Sequence, residues 1–322
     1  MDCEIICIDQ DPLAIERAME LASRPEYRGR LFPIHSRFGN LRRAVAEHTG
    51  SDVACLDGIL FDIGLSSNQI DDPARGFSFR RDGPLDMRMG SRGSMDRSRQ
   101  ISSVLTAEAV INNYSENELH RIIAELGEDK NSRKIARAIA NARTNAYIRT
   151  TMQLSTIIAK ALGQEEAWQH QGGKHPAMRT IRIYINDELR ELTRGLVAAE
   201  HLLRPDARCV VLTFHSLEDR IAKRFFRACE QGVTAAELPP PMSQQQARRA
   251  AARAGGREAS MAAGDEDTDA ALARGQPSMR ALTHKAIMPD EQEMDENARS
   301  RSAKLRAARR TEHPPVHADE RR

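Results

Sequence analysis

Apolar residues along the first part of the chain follow a strand-then-helix rhythm. Glu4 to Ile8 is a short β-branched run ending in Asp9, and the spacing of Leu13, Ile15, Ala18, Met19 and Ala22 predicts a helix from Pro12 to Ala22. Leu31 to His35 predicts a second strand and Leu41 to His48 a second helix. Leu56 to Ile63 reads as a continuous apolar strand interrupted by Asp57, Gly58 and Asp62. Strands alternating with helices imply a parallel sheet covered on both faces.

Periodicity disappears from Gly64 to about Arg99, where glycine, proline, arginine and aspartate accumulate, and this predicts a long irregular loop. Between Ile101 and Leu162 the pattern is helical. Ile135, Ala138, Ile139 and Ala142 share one face, with Arg133, Lys134, Arg137 and Asn141 turned away. Ile181 to Leu203 predicts one amphipathic helix, Pro205 and Asp206 a turn, and Cys209 to Phe214 a buried strand that completes the parallel sheet. Met242 to about Gln276 is rich in Ala, Arg, Gly and Gln and reads as a flexible linker, and order signals return from Arg280 to Arg310. The expected organisation is a core in two parts (1–99 and 181–234), a helical insert (100–180), a linker (235–279) and a C-terminal segment (280–322).

Composition narrows this picture only slightly. With 322 residues, 40% hydrophobic and 29% charged, the chain can bury one core and a smaller second body. No apolar run reaches the roughly 18 residues that cross a bilayer, so neither membrane insertion nor secretion is expected. The cysteines (Cys3, Cys7, Cys55, Cys209, Cys229) are scattered, with no CxxC pair, and are expected to be reduced thiols rather than disulfides or a zinc site. A net charge of +2 leaves any nucleic-acid surface to local clusters such as Lys130, Arg133, Lys134, Arg137 and Arg143, which read equally as a solvated helix face.

Chemistry is expected beyond the carboxyl ends of the strands. Asp9 stands there, either to bind a ribose hydroxyl pair or to cap the helix that begins at Pro12. Asp62 closes the Leu56–Ile63 strand, as a cofactor contact or as a turn former. No GxGxxG follows a strand, which counts against a nicotinamide enzyme. His215 and Ser216 are adjacent but lack a nucleophile elbow, so Ser216 as a helix cap, or His215 as an RNA contact, is the expectation.

The stretch FDIGLSSNQIDDPARGFSFRRDGPLDMRM from Phe61 closely resembles the signature of the bacterial 16S rRNA cytosine-N4 methyltransferase family (RsmH or MraW), DLGVSSPQLD leading into RGFSFxxDGPLDMRM. KHPAMRT (174–180), INDEL (185–189), TFHSLEDRIAKRFF (213–226) and RSAKLR (301–306) follow in the family's order. The resemblance implies a Rossmann-like α/β methyltransferase core with a parallel sheet and an inserted all-helical domain. It also implies S-adenosyl-L-methionine as cofactor and small-subunit ribosomal RNA, or the ribosomal subunit, as partner. The compartment it implies is a bacterial cytoplasm, or a mitochondrial matrix in a eukaryote.

Matched motif by motif, the resemblance assigns cofactor contacts to Asp9, Phe38, Asp62 and Gln69. It places methyl transfer at Asp62, with Ser66 and Ser67 behind it, and RNA contacts at Arg75, Phe77, Phe79, Arg80, Arg81, Arg88, Arg179 and His215. The alternative for the loop is a structural lid whose arginines pair with Asp72, Asp82 and Asp86.

Several positions depart from the pattern. Asn68 stands where the family has proline, Gly39 where it has serine, and three residues are missing between Thr180 and Ile181. The family's first strand and GxGGHS loop are expected about 20 residues ahead of Asp9, where this chain has eight. The chain as written is therefore expected to lack that loop. It would then be either a shortened form of a working enzyme or a catalytically silent RNA-binding or ribosome-assembly protein.

Overall fold

The computed structural model describes residues 3–78, 81–90, 105–163, 176–236 and 275–318. Two compact units emerge, one of residues 1–41 and 64–192, the other of 42–63 and 193–322. The fold class is α/β with parallel strands, as the alternating pattern predicts.

In the first unit β1 (Ile5–Asp9) and β2 (Leu31–His35) pair in parallel, from Ile5 opposite Leu31 to Asp9 opposite His35. Helix α1 (Pro12–Ala22) lies between them in the chain, capped by Asp11 with Pro12 in its first turn. A 3-10 turn at Phe38–Asn40 leads into α2 (Leu41–Thr49), which from Arg42 onward belongs to the second unit.

The expected irregular loop from Gly64 to about Arg99 is packed over its described residues, 64–78 and 81–90, and the rest of it lies outside the described residues. It forms α3 (Ser67–Asp71) and a 3-10 turn (Pro73–Arg75), and Phe77, Leu85, Met87 and Met89 are buried. Two glycines permit this: a Cβ on Gly76, which sits at φ +72°, would collide with the Pro84 carbonyl, and one on Gly83 with that of Pro73. No helical or strand period can reveal such a segment, because its apolar residues point inward along an irregular path.

Helices α4 (Ala107–Asn113), α5 (Glu116–Gly127), α6 (Ser132–Asn145), α7 (Thr151–Leu162) and α8 (Pro176–Asn186) share a core with the packed loop, including Ile111, Leu119, Ile123, Ile135, Leu154 and Met178. Capping boxes at Ser115/Glu118 and Thr150/Gln153 start α5 and α7. Helix α8 runs unbroken through Thr180–Ile181, so the three-residue shortening falls inside a continuous helix.

The single helix expected from Ile181 to Leu203 is corrected to two, α8 and α9 (Glu188–Leu202), broken at Asp187 with φ +52°. Asn186 accounts for the break. Its Oδ1 accepts from Met89 N–H and its Nδ2 donates to the Met87 carbonyl, both at 2.8 Å, while Arg182 and Glu188 pair across it at 2.7 Å.

The second unit holds a four-stranded sheet in the order β3 (Leu56–Asp62), β4 (Leu203–Thr213), β6 (Lys304–Arg310), β5 (Met279–Ala281). Strands β3 and β4 are parallel, but β6 pairs antiparallel with both β4 and β5, an addition that the parallel pattern did not anticipate. The Pro205–Asp206 turn is present as a bulge inside β4, with Asp206 at φ +67° and a register slip between Leu56/Leu203 and Gly58/Arg208. Helix α10 (Ser216–Gln231) follows β4, and α11 (Glu291–Glu296) lies between β5 and β6. Most of the expected linker falls outside the described residues. Among those described, no helix is long and apolar enough to cross a membrane.

Candidate active site

At the end of β1 the cap of α1 is made by Asp11, not Asp9. Asp11 Oδ1 accepts the Leu13 N–H at 3.0 Å, while the Asp9 Oδ1 accepts the Asp11 N–H at 2.7 Å. Asp9 is thereby held at the exposed strand terminus. Desolvation by the surrounding protein, reinforced by the Asp11 charge, pushes its carboxyl above the ordinary range.

Asp11 is itself buried, and its Oδ2 accepts from Gln69 Nε2 at 2.8 Å and Arg75 Nη1 at 2.9 Å. Arg75 also donates to the Met89 carbonyl at 2.8 Å, its guanidinium lies 5.7 Å from the Phe77 ring centre, and Gln10 Nε2 reaches Met89 Sδ at 3.2 Å. The signature loop therefore folds onto the strand end. Its charged residues mostly serve that packing.

This geometry corrects several expected roles. Arg75, 2% exposed, and Phe77, 5% exposed, are interior residues and present neither a phosphate contact nor a stacking face. Arg88 forks onto Asp86 at 2.7 and 2.8 Å, the lid-type pairing. Asp72 and Asp82 instead accept backbone N–H groups, of Ala74 and of Gly83 and Met152 respectively. Gln69 is spent on Asp11 through its amide nitrogen and on Ser66 N–H through its oxygen, closing the cap of α3. Asn68, in place of proline, lies within that helix, and Gly39, in place of serine, donates its N–H to Glu191 at 2.8 Å. Phe38 is half-buried in the neighbouring turn, while Ser66, Ser67, Arg81 and Arg179 are exposed. Phe79 and Arg80 lie outside the described residues.

In the second unit Asp62 ends β3 opposite Leu212 of β4. It is exposed, no side-chain hydrogen bond or ion pair engages it among the described residues, and desolvation raises its carboxyl above the ordinary range. Beyond β4 the cap of α10 is His215 rather than Ser216. His215 is buried, with Nε2 at 2.8 Å from Glu218 Oε1, and Glu218 Oε2 accepts Phe214 N–H at 2.9 Å. Its expected RNA contact gives way to this cap, because both ring nitrogens face Glu218.

Sequence reasoning missed a buried cluster of Glu200, Cys229 and His317. His317 Nδ1 lies 2.8 Å from Glu200 Oε2, and Nε2 accepts the Ala235 N–H at 3.0 Å, which places the ring proton on Nδ1. A metal on Nδ1 would require the proton on Nε2, against the Ala235 N–H. The cluster is therefore a closed hydrogen-bond network fastening the C-terminal residues. Its members are 29 to 117 positions apart and carry no shared motif.

The MraW methylase family model matches residues 1–274 and 257–311. A protein named ribosomal RNA small subunit methyltransferase H from Parvibaculum lavamentivorans is 41% identical over 321 residues, 99% of this chain and 80% of that protein. Proteins of the same name from Xanthobacter autotrophicus (40% over 316 residues, 97% of this chain and 77% of that protein) and Brucella canis (40% over 321 residues, 98% and 78%) are similarly related. Motif order, the packed signature loop, the two strand-end carboxylates and near-complete coverage agree: the chain belongs to the MraW methylase family.

Proposed function

We propose that this chain transfers a methyl group from S-adenosyl-L-methionine to the exocyclic N4 amine of a cytosine in small-subunit ribosomal RNA. The observation that carries the reading is an exposed strand-end carboxylate in each unit, Asp9 in the first and Asp62 in the second, in a chain whose 41%-identical relative bears the name of a ribosomal RNA methyltransferase. Likeness over nearly the whole chain favours the enzyme over a silent RNA-binding protein.

The residues present fit the cofactor. Asp9, exposed and oriented by its bond to Asp11 N–H, suits a ribose hydroxyl pair, and half-buried Phe38 suits an aromatic base. Gln69 acts through Asp11 by fixing the turn that carries Asp9. When bound, S-adenosylmethionine supplies a methyl group on a sulfonium, an electrophile that needs no covalent enzyme intermediate.

Methyl transfer forms a carbon–nitrogen bond as a carbon–sulfur bond breaks, and the amine sheds a proton. The cytosine amine is a poor nucleophile because its lone pair is delocalised into the ring. Asp62, with an open carboxylate above its ordinary range, accepts a hydrogen bond from that amine, favours its pyramidal form and receives the proton. Ser66 and Ser67 supply exposed hydroxyls at the start of α3, and the insert's helices α4 to α8 supply substrate recognition.

Calorimetry with S-adenosylmethionine tests the cofactor half, on this chain and on a form carrying any residues encoded upstream of it. Binding is expected, weakened about tenfold or more by Asp9→Asn, the loss of a charge-assisted hydrogen bond. Binding by neither form, or binding indifferent to Asp9→Asn, would overturn it.

A further inference from the structure

We infer that Tyr147 and Arg149 form a preorganised stacking platform for an unpaired nucleotide of the substrate RNA. The inference rests on the reading of the chain as an RNA methyltransferase and adds to it a site outside the signature motifs.

The two residues sit on the short connection between α6 and α7. Tyr147 is 45% exposed, and the Arg149 guanidinium lies over its ring, 5.1 Å from the centroid. Ile148 between them points inward and is 3% exposed, so its two neighbours face solvent.

The backbone from Ile148 to Thr150, which follows Tyr147 and carries Arg149, is held at every polar group. The Asn112 side-chain amide takes both the N–H and the carbonyl of Ile148, at 3.0 and 2.8 Å. Gln153 Oε1 accepts the N–H groups of Arg149 and Thr150 at 2.7 and 3.1 Å, and the Arg149 carbonyl accepts Leu85 N–H at 2.9 Å. Residues 81–85 run alongside through the Pro84–Thr150 bridge and the Thr151 N–H to the Gly83 carbonyl. That neighbouring segment begins with exposed Arg81, and its one exposed acid, Asp82, is turned onto the amides of Gly83 and Met152.

An exposed tyrosine under an arginine contributes little to folding in water, yet this pair is fixed by five hydrogen bonds to its backbone segment. Such an arrangement suits a ligand with a flat face and a negative charge. A nucleotide of single-stranded RNA has both: its base stacks on the ring or guanidinium plane, and its phosphate meets Arg149 or Arg81. Rigid presentation lowers the ordering cost of binding.

The test measures anisotropy of a short fluorescein-labelled single-stranded oligoribonucleotide, together with methylation rates on unmodified small ribosomal subunits. Tyr147→Ala should raise the RNA dissociation constant and the KM for subunits about tenfold while leaving kcat and cofactor binding unchanged. Tyr147→Phe should behave as wild type, because the ring and not the hydroxyl stacks. Arg149→Ala should weaken binding and flatten its salt dependence. Melting temperatures should stay at the wild-type value for all three.

Wild-type RNA affinity in Tyr147→Ala, in a protein that still methylates subunits, would overturn the platform and leave the methyltransferase reading intact. Failure of the folded wild-type protein both to bind RNA and to methylate would remove the two together.

Discussion

Arg75 illustrates how a residue with an obvious surface chemistry can be claimed by the interior. Its guanidinium neutralises Asp11, and the two side chains are 2% and 5% exposed. Removing one partner leaves a buried charge, so Arg75→Ala is expected to cost about 3–5 kcal/mol in denaturant unfolding. Loss of RNA affinity without loss of stability in that variant would return Arg75 to the substrate surface. The sequence could not separate Arg75 from Arg81, since both lie among glycines and aspartates; burial alone distinguishes them. Asp9 shows the converse. Its strand-end position was legible from the run Glu4–Ile8, but the competing cap reading is resolved only by the bond from Leu13 N–H to Asp11. At Asp62, ionisation is required to receive a proton, so the methylation rate should fall as pH drops through its carboxyl's raised value. A rate–pH profile checks this, and an acidic limb unchanged in Asp62→Asn would assign the titration to another group.

At the scale of elements, helices and strands with clear periods were readable: α1 and β2 fall where the apolar spacing puts them. Failures have physical reasons. The α8–α9 break depends on what Asn186 bonds to in a distant loop, and β6 (KLRAARR) lacks a clear apolar alternation. Strand β6 is fastened instead by charge. Asp219 of α10 meets Arg306 at 2.7 Å and Lys304 at 3.3 Å. Burial opposes its ionisation, but these cations outweigh it and hold the carboxyl below the ordinary range. A depressed folded value means the contribution is present above the unfolded value near pH 4 and is lost as pH falls through the folded one. Asp219→Asn should therefore lower the melting temperature at neutral pH, with the gap from wild type closing below about pH 4; a gap independent of pH would refute the charge account. Asn186→Ala strands the buried Met89 N–H and should cost about 1–3 kcal/mol while loosening the signature loop. Unchanged stability, measured by denaturant unfolding, would show that the loop holds itself.

Taken as a whole molecule, the chain carries the motif order of a methyltransferase family from end to end, and most of its recognisable motifs prove to be architecture. The signature loop packs onto the end of β1, INDEL pins that loop through Asn186, and SLEDR and KLR join α10 to β6. Among the described residues given a role here, those open toward solvent are Asp9, Asp62, the α3 serines, Arg81, Arg179 and the Tyr147–Arg149 pair. The family was legible from the strings themselves, whereas the division of labour within them required three-dimensional neighbours. The most direct test of the central claim incubates the protein, in this form and with any upstream-encoded residues restored, with labelled S-adenosylmethionine and small ribosomal subunits from cells lacking the modification. The rRNA is then digested and its nucleosides separated. Label in N4-methylcytidine, reduced about a hundredfold or more by Asp62→Asn, is the predicted result; label at another atom, or none from either form, would contradict it.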